Sequence, residues 1–79
     1  MKGKPVRLSG IRKGQSCVIE SFTDEKMKLK LLEMGCLPGE IIKVDRLAPL
    51  GDPMAITVSE STLSIRLDEA DTIMVQPMY

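Results

Sequence analysis

Histidine and tryptophan are absent from these 79 residues, and Phe22 and Tyr79 are the only aromatic side chains. Without histidine there can be no Ser–His or Cys–His nucleophile pair. Imidazole is also unavailable as a metal ligand. Cysteine is nearly absent too: Cys17 and Cys36 stand far apart, form no C-x-x-C pair, and read as small buried apolar residues in a reducing compartment. Net charge is lacking, with 11 basic residues balancing 11 acidic ones. A neutral chain poor in aromatics has neither the basic groove nor the stacking platforms of an RNA-binding barrel. No apolar run approaches the ~18 residues of a membrane span, and no leader pattern opens the chain. The expectation is one soluble, cytoplasmic domain over residues 1–79, with no nucleic-acid partner and no membrane insertion.

What is present is aliphatic. Apolar residues make up 43% of the chain, so a core of Leu, Ile, Val and Met is within reach. A domain this short buries only about 60% of the surface its unfolded chain exposes. That leaves little volume for a deep catalytic cavity. The basic residues gather at the start (Lys2, Lys4, Arg7, Arg12, Lys13, all before Glu20). This reads as a solvated end, with a membrane-surface or partner contact as the alternative.

Turn residues divide the chain into short elements. Leu8 to Gly14 reads as a loop with Leu8 and Ile11 as apolar anchors, and Ser16 to Phe22 as a strand. Asp24 to Met34 reads as the helix. Thr23 or Asp24 can cap it, Gly35 closes it in a left-handed conformation, and Pro38 forbids its continuation. Strands follow over Ile41–Leu47, Met54–Ser59 and Leu63–Leu67. A turn over Asp68–Asp71 then leads into a last strand, Thr72–Gln76. Alternating apolar and polar positions give each strand one buried and one wet face. Short strands of this kind curl into a small barrel that removes exposed edges. The expected fold is mainly β: an SH3-like barrel of about five strands with one α-helix after the first strand.

Four segments in order resemble one family. Leu31-Leu32-Glu33-Met34-Gly35-Cys36-Leu37-Pro38-Gly39 resembles the helix-end signature of ferrous iron transport protein A. Ala48-Pro49-Leu50-Gly51-Asp52-Pro53 is similar to that family's central loop. Leu63-Ser64-Ile65-Arg66, Glu69-Ala70, Ile73 and Val75 resemble its C-terminal pattern, and Leu8, Ile11, Gly14, Val18 and Ile19 fit its opening. Cys36 replaces a more usual aliphatic residue, and Glu60-Ser61 stands where a glycine-containing hairpin turn is common. The resemblance implies an SH3-like fold and a small non-enzymatic accessory protein. It would act on the cytosolic G-domain side of a membrane permease, ferrous iron transport protein B. The alternative is a free-standing barrel of the repressor type, binding a peptide segment of a regulator.

The residues themselves nominate a partner surface. At about 100° per residue, Met27, Leu31 and Met34 share a roughly 60° arc, and Leu29 with Leu32 forms a second ridge opposite. Leu31 runs into the family-like segment, so the first ridge is assigned to the core. Leu29 and Leu32 then need another cover: the N-terminal segment, a second copy, or a partner. Leu50 and Asp52 on the stiff proline loop, and Arg66 opposite the apolar face of its strand, complete the candidate partner-binding set. Asp68, Glu69 and Asp71 read as a solvated helix start. No cofactor, metal site or catalytic residue is expected.

The lack of histidine and of paired cysteines makes a direct prediction. Anaerobic titration with Fe²⁺ gives no saturable one-to-one event tighter than about micromolar, a scale of roughly 8 kcal/mol. A stoichiometric site above that affinity would contradict it.

Overall fold

The computed structural model describes residues 3–78, so Lys2 of the basic stretch and Tyr79 lie outside the described residues. Six strands form one antiparallel sheet: β1 (Val6–Arg7), β2 (Ser16–Phe22), β3 (Ile41–Leu47), β4 (Met54–Val58), β5 (Ser61–Ile65) and β6 (Ile73–Met78). Their spatial order is β1-β6-β2-β3-β4-β5. Helix α1 (Glu25–Glu33) joins β2 to β3, and a one-turn helix α2 (Leu67–Ala70) joins β5 to β6.

Two features curl this single sheet around its core. The register slips between Ile19 and Ser21 against β6, and between Val44 and Arg46 against β4. Each slip is a β-bulge, which bends its strand and sharpens the local twist. The extra residues are both acids, and each takes a hydrogen bond from the neighbouring strand. Glu20 Oε2 accepts from Gln76 Nε2 at 2.7 Å, and Asp45 Oδ2 from Thr57 Oγ1 at 2.5 Å. Inside the curl, Cys17, Ile19, Ile42, Val44, Ile56 and Val75 alternate inward and are buried. Leu8 and Ile11 also reach the core, from a 3₁₀ turn over Leu8–Gly10 and the residue after it.

Helix α1 is closed at both ends by its own sequence. Asp24 is the cap, its Oδ1 accepting from the backbone N–H groups of Lys26 and Met27 at 2.9 and 3.0 Å. At the other end, Cys36 N–H donates to the Leu31 carbonyl and Gly35 N–H to that of Leu32. This pair of bonds is the Schellman motif. It requires the left-handed φ of +101° that Gly35 adopts. The motif also brings Cys36 back against Leu31, and both are fully buried. Cys36 therefore does the packing work of the aliphatic residue it replaces. Pro38 and Gly39, with Gly39 at φ +91°, then turn the chain into β3.

The structure corrects the expected plan in four places. There are six strands, and α1 follows the second, because the two-residue β1 pairs Val6 with Val75. Asp68–Asp71 is not a plain turn: Leu67–Ala70 is helical, so β5 ends at Ile65 and Leu67 lies outside it. The last strand runs on to Met78. The two-residue hairpin between β4 and β5 is Ser59-Glu60, not Glu60-Ser61. Both residues take positive φ, 49° and 65°, which makes a primed turn without glycine.

Glu69 is the largest departure. Its acidic neighbourhood reads as solvated, yet it is buried. Its Oε2 lies 2.5 Å from Lys30 Nζ, and its Oε1 accepts from Arg66 N–H at 3.0 Å. The Lys30 hydrogen bond is the main reason its carboxyl is held below the usual range, helped by the Arg66 N–H and opposed by burial. A depressed folded pKa contributes stability above the unfolded value, about 4.3, and loses it as pH falls through the folded value. Melting temperature should therefore fall on acidification below about pH 4. Glu69→Gln should flatten that dependence, while Lys30→Met, which leaves the carboxylate unpaired, should cost about 1–3 kcal/mol at neutral pH. Circular-dichroism melts across pH decide it, and an unchanged acid limb in Glu69→Gln would contradict the assignment.

The helix gives a second prediction. Leu31 is fully buried, with Met27 and Met34 packed beside it, whereas Leu29 is 66% exposed. Leu31→Ala should destabilise the fold by about 2–5 kcal/mol. Leu29→Gln should change the melting temperature little.

Candidate functional site

Among the described residues the most exposed large apolar side chain is Leu50, at 95%. It is held out by a loop with little freedom. The Ala48 carbonyl accepts from Gly51 N–H at 2.7 Å, closing a tight turn with Pro49 and Leu50 at its two central positions. Gly51 continues at φ +86°, a conformation that favours glycine. Ala48 N–H then donates to the Pro53 carbonyl at 3.0 Å, closing the base of the loop, and the Asp52–Pro53 peptide is cis. Asp52 Oδ1 accepts from Leu67 N–H at 3.1 Å, which ties the loop to the start of α2. Asp52 thus serves the loop's own structure.

The loop stands between two open depressions. One, of about 540 Å³, lies over the outer face of β3–β5 and includes Arg46, Pro49, Ala55 and Ser64. The other, of about 620 Å³, is bounded by Lys30, Met34, Asp52, Arg66 and Glu69. Pro53 and Ser64 border both, so the two are continuous beside β5. The Glu69 carboxylate is engaged by Lys30 and by the Arg66 backbone. Among the described residues no carboxylate lies within ion-pair distance of the Arg66 guanidinium. The second depression therefore presents an unpaired cation at its rim.

The structure brings three of the five candidate residues together: Leu50 and Asp52 share the loop, and Asp52 and Arg66 border one depression. Leu29 lies apart on α1, and Leu32 is half-buried rather than exposed. Sequence reasoning missed Lys30 and Glu69, whose contact spans 39 residues.

The cysteines and acidic residues are the remaining candidates for chemistry. Both cysteines are free and buried, and burial pushes the Cys17 thiol up to about 11 and raises that of Cys36. Such thiols are poor nucleophiles and poor ligands. Among the described residues no group of three His, Cys, Asp or Glu is placed to hold a metal ion. No described helix is long and apolar enough to cross a membrane.

Known proteins share this fold. The fold overlays a FeoA-like protein from Clostridium acetobutylicum with a TM-score of 0.93 at 28% identity, covering 98% of this chain and 91% of that one. It also overlays the zinc complex of Stenotrophomonas maltophilia FeoA, described as an SH3 domain protein. There the TM-score is 0.77 at 27% identity, over 89% of this chain and 88% of that one. T. acidophilum IdeR shares the fold alone, at 22% identity and a TM-score of 0.80, over 94% of this chain and 34% of that one. The FeoA domain profile matches residues 6–77. The chain belongs to the FeoA family, small SH3-like domains associated with ferrous iron transport.

Proposed function

We propose that this chain is an accessory protein of ferrous iron uptake. In this reading it docks on the cytosolic G-domain side of ferrous iron transport protein B and modulates nucleotide-driven transport. The observation that carries the reading is the Ala48–Pro53 loop. A leucine exposed to 95% on an ordered loop offers apolar area that a partner can remove from water. Here it sits on a turn whose conformation is already fixed by three hydrogen bonds. Such a loop loses little entropy on binding, so its buried area converts well into affinity.

Iron in this reading is cargo, handled by the permease. Among the described residues no group of three His, Cys, Asp or Glu is placed to hold it, and the sequence has no G-x-x-x-x-G-K phosphate loop for GTP. The chain's contribution is contact: Leu50 as an apolar anchor and Arg66 as a cation at the rim, with Leu29 a separate exposed apolar residue on α1. The S. maltophilia protein is described as possibly a transport activating factor, which accords with a role through a partner.

The test is a pull-down with the purified soluble G domain of protein B. Leu50→Asp should fold normally and lose at least about tenfold in affinity, roughly 1.4 kcal/mol. Wild-type binding should also change the GTP turnover of that domain. A Leu50→Asp protein that melts and binds like the wild type would remove the loop from the interface. Failure of the wild type to bind at all would favour the regulator-type barrel instead.

A further inference from the structure

The sheet has two edges, and they are treated differently. At one end β1 is only two residues long, is preceded by Lys4-Pro5 and contains Arg7. Short length, charge and proline are the usual devices that stop an edge from pairing with another chain. At the other end β5, Ser61-Thr62-Leu63-Ser64-Ile65, has five residues, no charge, no proline and no bulge. Among the described residues its backbone makes no hydrogen bond beyond those to β4.

The register fixes which groups are open. The hairpin closes with Val58 opposite Ser61 across the two-residue turn. In such a hairpin the closing pair exchanges both hydrogen bonds, and pairs alternate from there. Ser61, Leu63 and Ile65 therefore bond to β4, while Thr62 and Ser64 direct N–H and C=O outward. Both residues are exposed.

We propose that β5 pairs antiparallel with β5 of a second copy of this chain, about a two-fold axis at Leu63. Only this register sets Thr62 of each copy opposite Ser64 of the other, so that both outward residues on each strand meet outward residues. It yields four backbone hydrogen bonds. It also sets Leu63, half-buried in the single chain, against its own symmetry mate. The same arithmetic places Glu60 beside Arg66 of the second copy, twice. Both are exposed, and neither has an ion partner among the described residues. Glu60 holds a left-handed φ of 65° in a turn where glycine or asparagine is the easier choice. A carboxylate kept there lies beside the cation of the second copy. The apposed strands bury less than the ~1,200 Å² of stable interfaces, so the pair is weak and concentration-dependent.

This edge borders the depression beside the Leu50 loop and shares Arg66 with the docking surface, but the pairing is a property of the chain alone and does not rest on the docking reading. Sedimentation from about 10 μM to about 1 mM tests it, the upper limit corresponding to roughly 4 kcal/mol. The wild type should shift toward dimer, with concentration-dependent amide resonances at Thr62 and Ser64. Glu60→Lys and Arg66→Glu should each weaken the dimer at least about fivefold, roughly 1 kcal/mol by the same conversion, and the double exchange should restore it. Ser64→Pro, which removes an outward N–H and leaves the β4 ladder intact, should give monomer with an unchanged fold. A wild type that stays monomeric to about 1 mM would overturn the proposal. So would a dimer indifferent to the charge reversals, one not restored by the exchange, or one whose amide changes fall away from β5. Shifts at Thr62 and Ser64 that appear only with a foreign peptide would assign the edge to another protein.

Discussion

Glu69 is the one buried charged residue among those described, and the arrangement of the candidate surface depends on how its carboxylate is satisfied. One oxygen takes the ammonium of Lys30 from α1, and the other takes the Arg66 backbone N–H at the start of α2. Its own carbonyl accepts from the Thr72 hydroxyl at 2.7 Å, just before β6 begins. An unsatisfied carboxylate in that position would cost several kcal/mol. Satisfied, it fixes where α1, α2 and β6 lie relative to one another. From α2 the constraint passes outward, because Leu67 N–H is the donor that Asp52 uses to hold its loop. Leu50 is presented by a chain of polar contacts that starts in the interior.

The rest follows from a shortage. With almost no aromatic volume, the core is closed by aliphatic residues and two buried cysteines, and two bulges are needed to curl one sheet tightly enough around them. The curl does not seal. One end finishes in a blunted two-residue strand and the other in an unguarded five-residue one. The exposed features are thus segregated: a rigid apolar apex between β3 and β4, a cationic rim beside it, and a free strand edge at β5.

Much of this is legible in the sequence, and the failures have physical causes. Ser16–Phe22 and Ile41–Leu47 have the same bounds in sequence and structure because alternation is strong and turn residues bracket both. Asp24, Gly35 and Pro38 mark the helix ends through backbone chemistry that is local and therefore readable. β1 escapes because two residues carry no period; its existence depends on β6, at the far end of the chain. Glu69 escapes because an acid among acids reads as solvated until a lysine 39 residues away is placed beside it. The glycine-free hairpin hides its own turn type. Among candidate site residues, Leu50 and Leu29 are exposed as their patterns suggest. Leu32 is half-buried, since a ridge opposite the core still meets neighbours on so small a body. That Asp52 and Arg66 border one depression is a tertiary fact with no sequence signal beyond the family resemblance.

The central claim is that this SH3-like domain acts through contact, with the Ala48–Pro53 loop as its leading surface. The most direct measurement is an NMR titration of the isotope-labelled chain with the unlabelled soluble G domain of ferrous iron transport protein B. The account predicts saturable changes concentrated in residues 48–53 and at Arg66, extending toward Leu29, with the core amides unmoved. Saturable changes confined to residues away from the loop and Arg66, or no changes with an active G domain, would contradict it.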